Sequence, residues 1–265
     1  MKQLTQNLKT GRMEVSEVPI PVVSARSVLV RNHYSLISVG TEVSKVSTAR
    51  KGYLAKAIER PEQAKQVLGT LKKEGISSAF KKVMNKLDVL APLGYSASGE
   101  VIKVGYGISK FKVGDRVACA GAEIANHAEI ISVPENLVVK VPNEVAFSEA
   151  SFTTVASIAM HGVRQSGLRL SENCVVIGLG LIGQLTVQIL KASGINVIGI
   201  DIDKDSLELA KKSGADLVFE RFNGQEEQSI MNATGGYGTD AVIITAGTNS
   251  LDPIELAGKL CRRRG

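Results

Sequence analysis

Read for the spacing of its apolar positions, the chain changes period along its length. Through 1–40 and 91–145 the apolar residues form short runs bounded by Gly, Pro or Ser, among them Val28-Leu29-Val30-Arg31 and Gly99-Glu100-Val101-Ile102-Lys103-Val104. β-branched runs of this length predict strands. The stretch FKVGDRVACAG over 111–121 predicts a turn at Gly114-Asp115 that enters a strand. This half is expected to be a small, mostly antiparallel β domain. Residues 46–88 break the pattern with helical spacing. Pro61 is followed by Ala64, Val67, Leu68 and Leu71, Gly75 is placed to end that helix, and Ser77 or Ser78 to cap the next. The second helix has Ile76, Phe80, Val83, Met84 and Leu87 as its apolar face.

From about 146 onward, helical and strand periods alternate. The pattern predicts a helix over 148–166, a strand over 175–178, a helix over 181–193 and a strand over 196–200. A helix over 204–213, a strand over 217–219, a helix over 225–233 and a strand over 240–245 follow, with a last helix ending near Cys261. Strict alternation of this kind implies a parallel sheet with crossover helices. The domains are therefore expected at 1–147, with an insertion over about 46–88, and at 148–265.

Between the first strand and helix of the second half stands VVIGLGLIGQ, with Gly178, Gly180 and Gly183 in G-x-G-x-x-G spacing. That spacing alone fits a plain strand–turn–helix whose glycines serve packing. The surroundings add more: an apolar strand before it, a helix after it, and Asp201 closing the next strand about 20 residues on. Geometry then assigns roles. Gly178 permits the tight turn, Gly180 lets the backbone approach a pyrophosphate, and Gly183 lets helix and sheet pack closely. The helix N-terminus offers free N–H groups to the phosphates. The cofactor-binding stretch is thus Gly178, Leu179, Gly180, Leu181, Ile182 and Gly183. Asp201 is placed to accept hydrogen bonds from ribose hydroxyls and to repel a 2′-phosphate, so NAD(H) is expected rather than NADP(H).

Composition narrows the class. The 265 residues are 44% apolar and 22% charged, with no Trp, so the cores must be aliphatic. No apolar run reaches the length of a membrane helix. Cys119, Cys174 and Cys261 are far apart and form no C-x-x-C pair, which suits a reducing, cytoplasmic setting rather than a disulfide framework or zinc ribbon. The net charge of +6 is local: between Lys45 and Asp88 there are eleven Lys or Arg against four acids. Such a segment can draw an anionic ligand through its field. The plainer alternative is a solvated helical pair with its apolar face on the β domain or on a second copy of the chain. Nothing in it interleaves aromatics with the charges, so nucleic acid is not an expected partner.

The residues 99–121, the loop 178–183 and IGIDIDKDSLELAKKSGAD over 198–216 resemble the medium-chain dehydrogenase/reductase superfamily, the zinc alcohol dehydrogenase-like group. The resemblance implies an α/β protein: a GroES-like β domain with a helical insertion, then a Rossmann doubly wound parallel sheet. A narrower likeness is to the N-terminal module of bi-domain oxidoreductases fused to a Gfo/Idh/MocA-type dehydrogenase, a subgroup associated with polysaccharide and sugar biosynthesis. The Rossmann sheet normally has six strands, and only four are read before the chain stops at Gly265. The sheet is therefore expected to be incomplete and the chain a fragment.

The departures from the family bear on chemistry. Where zinc-dependent members place ligands, this chain has Val39-Gly40-Thr41-Glu42, Gly94-Tyr95-Ser96 and Thr153-Thr154-Val155. Zinc needs three N, S or carboxylate ligands plus an open position, so no metal is expected. Tyr95 stands where a ligand histidine is lost and could donate a proton, or its ring could simply fill the vacated pocket. His161 on the predicted 148–166 helix and Thr41, with its neighbour Glu42, are further candidates to touch substrate or coenzyme; a satisfied helix histidine is the plain alternative for His161. His33 and His127 have no argued role. Ala246 and Gly247 match the place where the family's backbone passes the nicotinamide ribose. The expected activity is zinc-independent hydride transfer between NAD(H) and an alcohol or carbonyl small molecule, anionic or sugar-derived. The competing reading is a non-catalytic NAD-binding or scaffolding module of a larger fused protein.

Overall fold

The computed structural model describes residues 1–7, 10–40, 42 and 90–263. The basic insertion over about 46–88 and the candidate Thr41 lie outside the described residues. Contacts divide the chain into two units, Met1–Thr154 and Val155–Gly265.

The first unit holds two antiparallel sheets. One has three strands in the order β2 (Met13–Glu17), β1 (Lys2–Asn7), β4 (Leu90–Pro92). The other has five, β7 (Ile130–Pro134), β3 (Ser27–Ser35), β5 (Ser96–Val104), β6 (Arg116–Ala120) and β8 (Val138–Lys140). The core of the larger sheet is almost wholly aliphatic, with Val28, Val30, Ala97, Val101, Val117 and Val133 fully buried. With no Trp in the chain, this core is filled mainly by β-branched side chains, which also favour the pleated backbone. Gly99 is needed where β5 crosses a register shift in β3: a Cβ there would stand 2.0 Å from the Arg31 carbonyl oxygen.

A predicted single helix over 148–166 is two: α1 (Phe147–Ala150) and α2 (Thr153–Gln165). Three hydroxyls explain the break. Ser151 Oγ donates to the Ser148 carbonyl at 2.7 Å, Thr153 Oγ1 to Ala150 at 2.7 Å, and Ser96 Oγ to Ser151 at 2.6 Å. Side chains thus take over carbonyls that a continuous helix would use. Arg116 secures the approach to α1. Its guanidinium donates to the carbonyls of Pro142, Asn143 and Val145 and lies 4.4 Å from the Phe147 ring centre, while His33 stacks on that ring at 4.4 Å. His33 is therefore a packing residue. Replacing Arg116 by Met strips three carbonyls of a charged donor, and urea unfolding is expected to show a loss of about 2–3 kcal/mol.

The second unit is a parallel sheet in the order β11 (Leu217–Glu220), β10 (Asn196–Asp201), β9 (Asn173–Ile177), β12 (Ala241–Ile244). Its helices are α3 (Leu181–Ala192), α4 (Lys204–Lys212), α5 (Glu226–Ala233) and α6 (Asp252–Leu260). Side chains alternate across β9. Cys174 and Val176 join Val187 and Leu190 of α3 and Leu207 and Ala210 of α4 on one face. Val175 and Ile177 join Ile230 of α5 and Leu256 and Leu260 of α6 on the other. The sheet is thus covered on both faces, as a parallel sheet requires. The strand order reverses between β9 and β12, the place where doubly wound sheets open a crevice at the carboxyl ends of their strands. Among the described residues no helix is long and apolar enough to cross a membrane.

Candidate functional site

At that reversal the loop after β9 meets the segment after β12. Gly178 has φ +92°, and a Cβ on it would lie 2.5 Å from the Ala246 nitrogen. Thr245 Oγ1 donates to the Gly178 carbonyl, and the Ala246 N–H reaches the Ile177 carbonyl at 3.1 Å. Gly183 is equally constrained, since its Cβ would stand 2.0 Å from the Gly178 carbonyl oxygen. Gly180 is the opposite case: it is exposed, and nothing lies within 4 Å of where a side chain would begin. It opens α3 with no side-chain cap on the helix, so among the described residues the first-turn N–H groups of Leu181, Ile182 and Gly183 have no side-chain acceptor and are open to an external one.

Leu179, between the first two glycines, turns inward. Its side chain is 1% exposed and packs where a Cβ on Gly199 would be 3.0 Å away. Its backbone N–H donates to Asp201 Oδ2, and Asp201 Oδ1 accepts the Asp203 N–H at 2.9 Å. Asp201 thus sits at the carboxyl end of β10, beside the open loop. Gly247 is exposed with free space around it. Gly178 to Gly183, Asp201, Ala246 and Gly247 all belong to this second unit. An open, uncapped helix start, a Cβ-free backbone facing solvent and a carboxylate on the neighbouring strand fit a dinucleotide coenzyme.

The first unit carries a second polar cluster. Val39, Gly40 and Glu42 lie in a helical turn. Glu42 is buried, and both its carboxylate oxygens lie 3.1 Å from His127 Nε2. Oε1 also accepts the Ser38 N–H at 3.2 Å. The other ring nitrogen, Nδ1, pairs with Ser35 Oγ at 2.8 Å. Gly94, at φ +96°, packs against this ring: a Cβ there would stand 3.0 Å from His127 Nδ1. Next to it Tyr95 is half-buried and its carbonyl accepts the Gly121 N–H at 3.0 Å. Glu42, a candidate to touch substrate or coenzyme, is buried with its carboxylate on His127. His127 and Ser35 had no role assigned from sequence, because they stand 92 positions apart and neither belongs to a local motif. His161 is exposed on α2.

Val39, Tyr95 and Thr154, at the places where zinc-dependent members carry ligands, offer zinc no nitrogen, sulfur or carboxylate donor. Among the described residues no group of three or more His, Cys, Asp or Glu side chains could hold a metal ion. Cys119 and Cys174 are buried, and burial pushes each thiol up to about 12.

Two family models match the chain: the alcohol dehydrogenase GroES-like domain over residues 74–143 and the zinc-binding dehydrogenase family over 182–265. A D-guloside 3-dehydrogenase of Escherichia coli is 31% identical over 156 residues, 58% of this chain and 44% of that protein. An alcohol dehydrogenase of Geobacillus stearothermophilus is 30% identical over 200 residues, 65% of this chain and 58% of that protein. The chain spans about half the length of the curated relatives it matches. In fold it is similar to the crystal structure of Escherichia coli quinone oxidoreductase complexed with NADPH, at a TM-score of 0.75 and 18% identity, covering 100% of this chain and 71% of that one. The two matched families, in this order and on this fold, mean that the chain belongs to the medium-chain dehydrogenase/reductase superfamily.

Proposed function

We propose that the chain, with a catalytic domain over 1–147 and a coenzyme domain over 148–265, moves a hydride between NAD(H) and an alcohol or carbonyl substrate without zinc. One observation carries the reading: the exposed backbone of Gly180, with free space where any side chain would stand, opens an uncapped helix beside Asp201. The N–H groups of Leu181, Ile182 and Gly183 are suited to a pyrophosphate, and Asp201 to the ribose hydroxyls. Gly178 and Ala246 shape the floor of the loop, and Gly247 leaves room beside it. When bound, the coenzyme supplies the hydride acceptor or donor. Tyr95 is assigned the proton that leaves or joins the substrate oxygen, with His161 and Thr41 as the further candidates. The buried Ser35–His127–Glu42 chain buttresses Gly94 and so holds the backbone that carries Tyr95. A sugar-derived substrate is in keeping with the relative named for a guloside, and a reducing, cytoplasmic setting with three free thiols.

Titration calorimetry with NAD⁺ and NADP⁺ tests the coenzyme, and NAD⁺ is expected to bind at least about tenfold tighter, since a 2′-phosphate would face the Asp201 carboxylate. A panel of sugar-derived alcohols and aldehydes should then change absorbance at the nicotinamide band, with zinc below stoichiometric level in the purified protein. Tighter NADP⁺ binding or one bound zinc per chain would overturn the reading. NAD⁺ binding without turnover across the panel would favour a non-catalytic coenzyme-binding module of a larger protein.

A further inference from the structure

The second unit contains a closed ring of hydrogen bonds that no sequence motif announces. Gln184, in the first turn of α3, is only 8% exposed. Its amide nitrogen donates to the Leu179 carbonyl at 2.9 Å and to the Ser206 carbonyl at 2.8 Å. Ser206 lies in the first turn of α4, and its N–H and hydroxyl donate to Asp203 Oδ2 at 3.1 and 2.7 Å. The Asp203 N–H donates to Asp201 Oδ1 at 2.9 Å, and Asp201 Oδ2 accepts the Leu179 N–H. The circuit therefore runs Leu179, Gln184, Ser206, Asp203, Asp201 and back to Leu179. Both backbone groups of Leu179 are held by side chains, one on each side of the residue between the first two glycines.

The orientation of the Gln184 amide is determined by its surroundings. A flipped amide would aim oxygen at two carbonyl oxygens, which accept and cannot donate. In the orientation present, Gln184 Oε1 is buried with no hydrogen-bond partner among the described residues. An apolar side chain of the same length would pack here but would leave the Leu179 carbonyl without this donor. Retaining two donors at the expense of an orphaned acceptor points to a requirement on the Leu179 backbone itself.

We infer that Gln184 is a positioning residue for the coenzyme: through Leu179 it presets the glycine loop, and through Ser206 and Asp203 it couples that loop to the ribose carboxylate of Asp201. This rests on the coenzyme reading above. Ligands carrying both pyrophosphate and ribose use both ends of the circuit, so they lose affinity when it is cut.

The experiment compares the wild-type chain with Gln184→Met, close in length but without donors, and with Asp203→Ala, which cuts the circuit at an exposed cap. Titration calorimetry with NAD⁺ and with ADP-ribose is combined with thermal melting and with amide exchange of the loop peptide. Gln184→Met is expected to weaken both ligands about tenfold, the factor that goes with one lost positioning hydrogen bond. Its melting temperature should fall by only a few degrees, because two carbonyls lose a donor while the orphaned oxygen goes too, and amides of 178–184 should exchange faster. Asp203→Ala is expected to weaken both ligands a few-fold. A Gln184→Met protein that binds NAD⁺ as the wild type does overturns the inference and leaves the coenzyme reading standing. If Gln184→Met does not fold, unchanged affinity in Asp203→Ala overturns it equally. A wild-type chain that binds neither NAD⁺ nor NADP⁺ overturns both.

Discussion

Gly180→Val should give a folded protein that no longer binds NAD⁺, while Gly183→Ala should give a damaged fold. The two glycines belong to one motif and differ in what surrounds them. At Gly180 the backbone has φ −70°, which valine adopts readily, and nothing lies within 4 Å of the added Cβ. The unfolding midpoint should therefore stay close to wild type. The new methyls would stand where the pyrophosphate must approach the backbone, and a loss of at least about 100-fold in affinity, near 2.7 kcal/mol, is expected. At Gly183 even one methyl falls 2.0 Å from the Gly178 carbonyl oxygen and 3.0 Å from Thr245 Oγ1. Backbone cannot yield as a flexible side chain does, so β9 and α3 must separate. Overpacking of this kind costs about 3 kcal/mol, which urea unfolding would detect before any ligand is added. Equal stability losses in the two variants would mean that Gly180 serves packing, and the assignment of the loop to a coenzyme would lose its main support.

Arg221→Met is expected to be the most damaging single change in the second unit at neutral pH, and less so in acid. Arg221 follows β11. It donates to Asp252 Oδ2 at 3.1 Å and Oδ1 at 2.6 Å, donates also to Glu226, and lies 4.6 Å from the Phe222 ring centre. Glu226 is 2% exposed, and its Oε1 accepts the Phe222 N–H at 3.1 Å as well. Removing the guanidinium strands a buried carboxylate, a loss of about 3–5 kcal/mol. The pH dependence follows from the carboxyls. Hydrogen bonds from Arg221 hold Asp252 below its usual 3.8. Burial pushes Glu226 up, but backbone N–H groups and Arg221 outweigh it and leave Glu226 below its usual 4.5. Both groups bind protons more weakly folded than unfolded. Their stabilisation is complete above those usual values and is lost as pH falls through the lower folded ones. In the variant the stranded Glu226 gains from protonation instead. The stability gap between wild type and Arg221→Met should therefore narrow from pH 7 to pH 3.5 in urea titrations. A constant gap would show that Arg221 acts through packing on Phe222 rather than through its ion pairs.

The β–α alternation of the second half was legible because buried parallel strands carry unbroken apolar runs, whereas crossover helices need one apolar stripe. Strand β10 was expected over 196–200 and closes at Asp201; helix α3 was expected over 181–193 and ends at Ala192. The tight turn at Gly178 and the close packing at Gly183 were legible too, since each follows from the absence of a Cβ at a fixed place between strand and helix. The single helix expected over 148–166 failed at Ser151, where hydroxyls from Ser96, Ser151 and Thr153 take backbone carbonyls. Helical periodicity registers apolar spacing and is blind to that competition.

Local order along the chain determined the two-part organisation, the aliphatic cores and the glycine loop, because each depends on residues within one or two turns of each other. Only the tertiary structure decided which polar groups meet. Ser35, Glu42 and His127 come together around Gly94, and Gln184 closes a circuit with Ser206, Asp203 and Asp201. Their partners come from separate elements, and a buried hydrogen bond is specified by where the packed backbone brings its donor and acceptor, which no spacing of residues along a strand or helix encodes.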